Sequence, residues 1–259
     1  MEKLARIGQI FYGVSIAAMG FQIIYFRDFP YMLIPPAHSW LNGKAGLVYA
    51  SGALLILSGA CIVFRIKPLL VSLLLGSSLL LIFCFYFIPY EFMFSPNYMH
   101  WYDWENAMKE LALAGGAFVV AGCFSKEERL RSGGAILFSL TIISFGVSHL
   151  LYAKEAGDYI PSWVPGHLLW MYFTGLALVG SGVAIILKIQ SSIAAALLGT
   201  MIFIWVLILH IPKAIASPIA DSGGEVTSGF LALCYCGIAL VISTYSYEAN
   251  TYKNPPPSF

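Results

Sequence analysis

Charged residues are scarce in this sequence. Asp, Glu, Lys and Arg make up 10% of its 259 residues and hydrophobic residues make up 59%, whereas soluble domains carry about 25% charge. A soluble domain of this size could not bury so much apolar surface. The composition therefore predicts a polytopic membrane protein. The net charge is +1 and the longest basic run is residues 126–131, so nothing favours nucleic-acid binding.

Motifs for several kinds of chemistry are missing. All five cysteines lie in or beside apolar runs, and no pair has the spacing of a zinc site. Cys234 and Cys236 would point in nearly opposite directions on a helix, so they could not jointly hold a metal. A Gly-rich phosphate loop, a nucleophile elbow and a paired-carboxylate motif are also absent from the sequence. The sequence identifies no catalytic residue and predicts no metal site.

Eight apolar runs are long enough to cross a hydrocarbon core of about 30 Å as helices. Backbone that faces lipid must satisfy its own hydrogen bonds, and these runs lack the alternation of barrel strands. The predicted spans are 5–26, 45–64, 68–88, 106–124, 133–153, 167–187, 192–211 and 226–246. The predicted fold is an all-α membrane protein with eight transmembrane helices.

An internal repeat organises these spans. The pattern Ser-Trp-x-x-Gly occurs at residues 39–43 and again at 162–166, an offset of 123, and each copy leads into an apolar run. Other matches follow in the same order: Gln22 with His149, Ser51-Gly52 with Thr174-Gly175, Ile88-Pro89 with Ile211-Pro212, and Glu105 with Glu225. The order predicts two tandem four-helix bundles of parallel topology. Residues 1–127 form the first repeat, 128–249 the second, and 250–259 a cytoplasmic tail.

The connections between spans differ in charge on the two sides of the membrane. One side, which includes both termini, carries nine of the fourteen Lys and Arg residues, and the other carries five. The positive-inside rule places both termini in the cytoplasm, and the predicted location is the plasma (bacterial inner) membrane.

Small residues concentrate in the second, fourth and sixth spans. Because such residues let membrane helices approach closely, we expect the second and fourth helices of each repeat to form its interior.

Two stretches carry a resemblance to a known family. The fourth span reads Lys-Glu-Leu-Ala-Leu-Ala-Gly-Gly at 109–116, and an outer loop reads Pro-Ser-Trp-Val-Pro-Gly-His at 161–167. With a glycine-bearing second span, these features resemble DoxX-type membrane proteins, here as two tandem copies that span nearly the whole chain. The resemblance implies a four-helix membrane bundle. Some DoxX relatives belong to thiosulfate:quinone oxidoreductase or to other redox systems, and some distant relatives are assembly chaperones.

Three histidines occur at a similar depth in the second repeat, namely His149, His167 and His210, and their first-repeat counterparts are Gln22, Lys44 and Phe87. Imidazole can hydrogen-bond a quinone carbonyl, relay protons or ligate haem or a metal, and ionisable groups at membrane depth are functional candidates. The alternatives are interfacial histidines satisfied by water and loop carbonyls, a shared quinone or small-molecule pocket, or metal or haem ligation. No Cys/His spacing favours the third alternative.

Two carboxylates and two tryptophans also recur at matching positions. Glu105 and Glu225 begin the fourth and eighth spans, where the helix dipole favours them, and Glu225 is also a candidate proton acceptor beside the histidines. Trp40 and Trp163 recur beside Pro and Gly. We interpret both tryptophans as plugs that fix the outer loops.

The sequence thus leads to two hypotheses of function. The first is a redox-associated DoxX-like subunit that binds a quinone or another small apolar ligand at the outer side of the second repeat. Its predicted ligand-binding residues are His149, His167, His210, Glu225 and Trp163, with first-repeat counterparts Gln22, Lys44, Glu105 and Trp40. The second hypothesis is a non-catalytic scaffold or assembly chaperone for a partner membrane protein. A solute carrier is disfavoured because broken helices and midplane charges are lacking.

Overall fold

Helices account for all the regular secondary structure in the described part of the chain. The structure is a computed structural model that describes residues 2–30, 45–95, 101–125 and 127–253, with the side chains of 102, 103 and 246–253 left out. The long helices are α1 (Glu2–Phe26), α2 (Ala45–Phe64), α3 (Pro68–Met93), α4 (Glu105–Ser125), α5 (Glu128–Leu151), α6 (His167–Ile186), α7 (Ser191–Ala216) and α8 (Gly224–Lys253). Each contains a segment long and apolar enough to cross a membrane. The predicted all-α class, with eight helices long and apolar enough to span a membrane, is confirmed.

Helices α3 and α7 continue five residues beyond their predicted ends. Each contains a π-helical turn, Phe83–Phe87 in α3 and Val206–His210 in α7, followed at once by Ile-Pro and another helical turn. Proline has no N–H to donate and its ring crowds the preceding turn, and a wider π turn is a common way to accommodate such a break. The helix therefore passes through the proline, and the two π turns are 123 residues apart.

Helices that are adjacent in sequence generally pack against each other, and the last helix returns to the first. The extensive interfaces are α1–α2, α3–α4, α4–α5, α5–α6, α7–α8 and α1–α8, and α4 also contacts α8. Two of these interfaces, α4–α5 and α1–α8, join the first half of the chain to the second. The halves therefore share a common core, and their description as two tandem bundles stays a prediction.

Glycine pairs set the closest helix crossings. A Cβ atom added at Gly20 of α1 would lie 2.5 Å from the carbonyl oxygen of Gly52 in α2. The corresponding crossing between α5 and α6 uses Gly146, where an added Cβ would lie 2.8 Å from the Gly175 carbonyl. No side chain fits at such distances, so the backbones of these helices are in direct contact. Close backbone packing of this kind drives helix association in lipid.

The interior is formed chiefly by α1, α4 and α8. Their buried side chains include Tyr12, Ile16, Val119, Val120, Ile238 and Val241. The prediction that the second helix of each repeat is interior is wrong, because α2 and α6 each bury only one stripe and leave many large apolar side chains exposed. The stripe holds Gly52 and Gly59 in α2, and Gly175 and Gly182 in α6. The prediction for the fourth helices is confirmed: α4 and α8 are the most buried of the eight.

Candidate functional site

Two of the three candidate histidines hydrogen-bond to backbone carbonyl groups. The Nδ1 atom of His149 lies 2.7 Å from the carbonyl oxygen of Phe145, one turn earlier in α5. The Nε2 atom of His167 lies 3.2 Å from the carbonyl oxygen of Pro161. A carbonyl oxygen only accepts hydrogen bonds, so these nitrogens must be the protonated ones. In the neutral form, each ring has one nitrogen left and that nitrogen can only accept.

His210 differs from both, because its Nδ1 atom is buried and has no hydrogen-bond partner among the described residues. It is the last residue of the π turn in α7 and faces α8, where Gly229 leaves space: a Cβ added there would lie 3.6 Å from the His210 Cβ atom. At the end of the corresponding π turn in α3 the residue is Phe87, which is fully buried. His210 therefore has a free polar group at a position where the other half has none.

Three polar side chains form a network with His210. Glu225, in the first turn of α8, and Lys213, three residues further along α7, both interact with it electrostatically. The hydroxyl group of Tyr159 donates a hydrogen bond to the Glu225 carboxylate, and the Lys213 ammonium lies 3.1 Å from the centre of the Tyr159 ring. A cation at the face of an aromatic ring is a stabilising arrangement. These four residues, His210, Lys213, Glu225 and Tyr159, are called the α7–α8 cluster below.

The structure thus brings together two of the five predicted ligand-binding residues, His210 and Glu225. His149 and His167 instead hydrogen-bond to the backbone carbonyl groups of Phe145 and Pro161, which are not part of the cluster. Trp163 is 66% exposed, so the prediction that it plugs the outer loop is wrong. The buried residues of that loop are Ile160 and Val164, which pack in a small apolar cluster of their own.

Only part of the first-half set lies in the described residues, because Trp40 and Lys44 fall outside them. Gln22 is buried, and its amide donates to the carbonyl of Gly223 over 3.1 Å and accepts from the hydroxyl of Thr227 over 3.3 Å. Gln22 therefore joins α1 to the start of α8. Glu105, in the first turn of α4, is half-buried and attracts the ammonium group of Lys109 one turn on, as the helix spacing predicts.

The glycine crossings also correct the predicted pairing of Gln22 with His149. Gly20 of α1 contacts α2 in the same way that Gly146 of α5 contacts α6. The offset between corresponding residues of α1 and α5 is therefore 126 rather than 127. At this offset the residue that corresponds to Gln22 is Ser148, which is buried as Gln22 is. A shift of one residue turns a helix by about 100°, so His149 points to another side of α5.

A further polar group lies deeper in the protein and was missed by the sequence reasoning. Glu110 of α4 is 5% exposed, and its Oε2 atom is buried without a hydrogen-bond partner in the described part of the chain. It interacts electrostatically with Tyr12 of α1 and Tyr235 of α8. The Tyr12 hydroxyl donates to the carbonyl of Leu113 over 2.8 Å, whereas the buried Tyr235 hydroxyl has no hydrogen-bond partner within the described ranges. A carboxylate within an apolar span is the signal that could have identified this group.

Neither polar region has the composition of a metal site. Among the described residues, no group of three or more His, Cys, Asp or Glu side chains is placed to hold a metal ion. The α7–α8 cluster offers a hydrogen-bond donor, a carboxylate and a cation, which suits an uncharged ligand with polar oxygens. Comparison of the chain with family models, with curated proteins and with solved structures finds no match.

Proposed function

We propose that this integral membrane protein binds a quinone-like ligand, an apolar molecule with hydrogen-bonding oxygens, at the α7–α8 cluster. The observation that carries the proposal is the buried Nδ1 atom of His210, which has no partner in the described structure. A buried polar group without a partner costs about 1–3 kcal/mol, and a quinone carbonyl that accepts from it would remove that cost. Since π turns are frequent at functional sites, the position of His210 at the end of one adds support.

The arrangement we propose around this site is two tandem four-helix repeats of the same orientation, with both termini in the cytoplasm. In support, the π turns, the Ile-Pro steps and the glycine crossings recur in the two halves. The orientation rests on the nine-to-five distribution of basic residues. It places the α7–α8 cluster at the outer side of the plasma membrane.

The resemblance to DoxX-type proteins suggests a redox context for this ligand. The rival proposal, a scaffold for a partner membrane protein, needs small-residue faces directed outward. The glycine pairs at the helix crossings face inward instead, and the outward glycines Gly46, Gly133 and Gly180 lie on three different helices. This arrangement favours ligand binding.

Tryptophan fluorescence offers a direct test. Trp205 directly precedes the π turn that ends at His210, and its ring lies 6.0 Å from that of Trp170. Decylubiquinone bound at the cluster should quench this fluorescence in protein reconstituted into phosphatidylcholine nanodiscs. We expect His210→Phe, which copies the first half, to weaken binding at least about tenfold, because one hydrogen bond in a buried site is worth about 1.4 kcal/mol.

His167→Phe is the matched control, because its protonated nitrogen is already used by a carbonyl group. It should leave the affinity within about twofold of the parent protein. Equal weakening by the two variants would mean that His210 has no special role. Absence of saturable quenching in the parent protein would contradict the proposed ligand class, and co-purification with one membrane protein would then favour the scaffold.

A further inference from the structure

The turns after α2 and after α6 have the same backbone. Arg65 and Lys67 have φ angles of 57° and 44°, and Lys188 and Gln190, 123 positions later, have 56° and 45°. The hydrogen bonds also correspond: the amide of Ile66 bonds to the carbonyl of Cys61 over 2.8 Å, and that of Ile189 to Ala184 over 2.9 Å. A residue in the left-handed conformation and a 6→1 backbone hydrogen bond are the features of the Schellman motif, which commonly ends a helix. The two turns can therefore be compared residue by residue.

Their side chains differ in charge. The turn after α6 carries one cation, Lys188, whose ammonium group lies 3.1 Å from the carboxylate of Glu128. The turn after α2 carries Arg65 and Lys67, and Arg6 of α1 lies close enough to Arg65 for the two guanidinium groups to repel each other. None of these three cations pairs with a carboxylate in the part of the chain that the structure describes.

The available contacts leave these cations incompletely satisfied. Arg6 donates through Nη2 to the carbonyl of Val63 over 2.5 Å, but its Nη1 atom is buried and has no hydrogen-bond partner among the residues that the structure describes. Arg65 has a long contact of 3.4 Å with the side-chain oxygen of Gln9, and its guanidinium lies 5.9 Å from the centre of the Phe124 ring. The partners of the two arginines are uncharged groups, so the three positive charges are not neutralised by them. Such a group of cations is electrostatically suited to bind an anion.

A shallow, largely open apolar groove begins at the same place. It has a volume of about 410 Å³ and is lined by Lys67, Pro68, Leu69, Leu70, Leu73 and Phe124. Lys67 and Phe124 thus belong to the groove, and Arg65 lies over the Phe124 ring. The groove runs along the start of α3, which faces lipid with Leu70 and Leu74 exposed. An acyl chain would fill it, and the attached headgroup would lie among the cations.

We propose that this groove and its three cations form a binding site for an anionic phospholipid, with the phosphate between Arg6, Arg65 and Lys67 and one acyl chain against Leu70 and Leu73. The charge pattern favours an anionic lipid over a zwitterionic one, because a basic residue near a membrane surface attracts anionic headgroups. The site lies at the end of the molecule opposite to the α7–α8 cluster and is independent of it.

Native mass spectrometry of delipidated protein, titrated with dioleoylphosphatidylglycerol in detergent, measures this binding. Lys67→Gln is the principal variant, because it copies Gln190 at the same backbone angle and removes no hydrogen bond of the described structure. We expect it to weaken binding about fivefold, the effect of about 1 kcal/mol per basic residue at a membrane surface. Arg6→Gln/Arg65→Gln/Lys67→Gln should reduce phosphatidylglycerol retention to that of dioleoylphosphatidylcholine.

Two further arms separate the sources of affinity. Lys188→Gln, the matched change in the paired turn, should leave phosphatidylglycerol binding unchanged, and Leu70→Trp, which fills the groove, should weaken it with all three cations present. Excess inorganic phosphate should not displace the lipid. The proposal is wrong if Lys67→Gln binds like the parent protein, if Lys188→Gln weakens binding equally, or if inorganic phosphate competes. The single variant decides the test if the triple variant does not fold.

Discussion

Two buried tyrosines near Glu110, Tyr12 and Tyr235, differ in whether their hydroxyl group is hydrogen-bonded. The same substitution, Tyr→Phe, can therefore be compared at a bonded and at an unbonded hydroxyl. Tyr12 and Tyr235 are both buried, at 0% and 6% exposure. The Tyr12 hydroxyl donates to the carbonyl of Leu113 over 2.8 Å, whereas the Tyr235 hydroxyl has no hydrogen-bond partner in the described structure. Tyr→Phe removes the same oxygen atom at each position. The lost volume is therefore the same, and the difference between the two variants reports the hydrogen bond.

The expected effects have opposite signs. Tyr12→Phe loses a hydrogen bond with a net value of about 0.5–1.5 kcal/mol, or about 0.6 kcal/mol by the average for bonds between membrane helices. Tyr235→Phe removes a buried hydroxyl without a partner, whose burial costs about 1–3 kcal/mol. At about 2–4 °C per kcal/mol for a chain of this size, Tm should fall by a few degrees for Tyr12→Phe and rise by a few for Tyr235→Phe.

Thermal unfolding in a fixed detergent, followed by the loss of helical circular dichroism, measures both shifts. If Tyr235→Phe lowers Tm as much as Tyr12→Phe does, the Tyr235 hydroxyl has a partner. Glu110 would be the first candidate, since the two groups interact electrostatically. Repeating the pair of substitutions in Glu110→Gln would then show whether the effect depends on the carboxyl group.

Two other predictions concern packing and orientation. Gly20→Ala should reduce the yield of monodisperse protein in size-exclusion chromatography, because its Cβ would lie 2.5 Å from the Gly52 carbonyl oxygen. Gly180→Ala is the control and should be neutral or slightly stabilising, because nothing lies within 4 Å of that position. Equal behaviour of the two variants would contradict the close crossing of α1 and α2. For orientation, a cysteine at Asp158 should react with a membrane-impermeant reagent from outside the cell, and one at Glu128 should not. The reverse pattern would invert the assignment of sides.

Several features followed from the sequence because they depend on local chemistry. Apolar runs of about 20 residues must form helices in lipid, so the number of spans required no tertiary information. The place of Glu105 and Glu225 in the first turns of α4 and α8 followed from the spacing of apolar and charged residues. The repeat pattern also led to Phe87 as the counterpart of His210, and the two residues end corresponding π turns.

The helix ends at the prolines and the interior of the bundle required the tertiary structure. Pro89 and Pro212 normally indicate the end of a helix, but a π turn carries each helix past them. The glycines of α2 indicated close packing without showing how many neighbours the helix has. It packs mainly against α1, so most of its surface faces outward.

The candidate site depended most on tertiary structure, because hydrogen-bond partners are set by three-dimensional packing. The sequence placed His149, His167 and His210 at a similar depth, but it did not show which imidazole nitrogens the backbone already satisfies. It also did not show that Gln22 bonds to Gly223, about 200 residues away in sequence, or that α1, α4 and α8 enclose Glu110. The sequence by itself determined the membrane class, the spans and the candidate polar residues. Only the tertiary structure decided which of these residues retain a free polar atom, because each atom's partners come from distant parts of the chain.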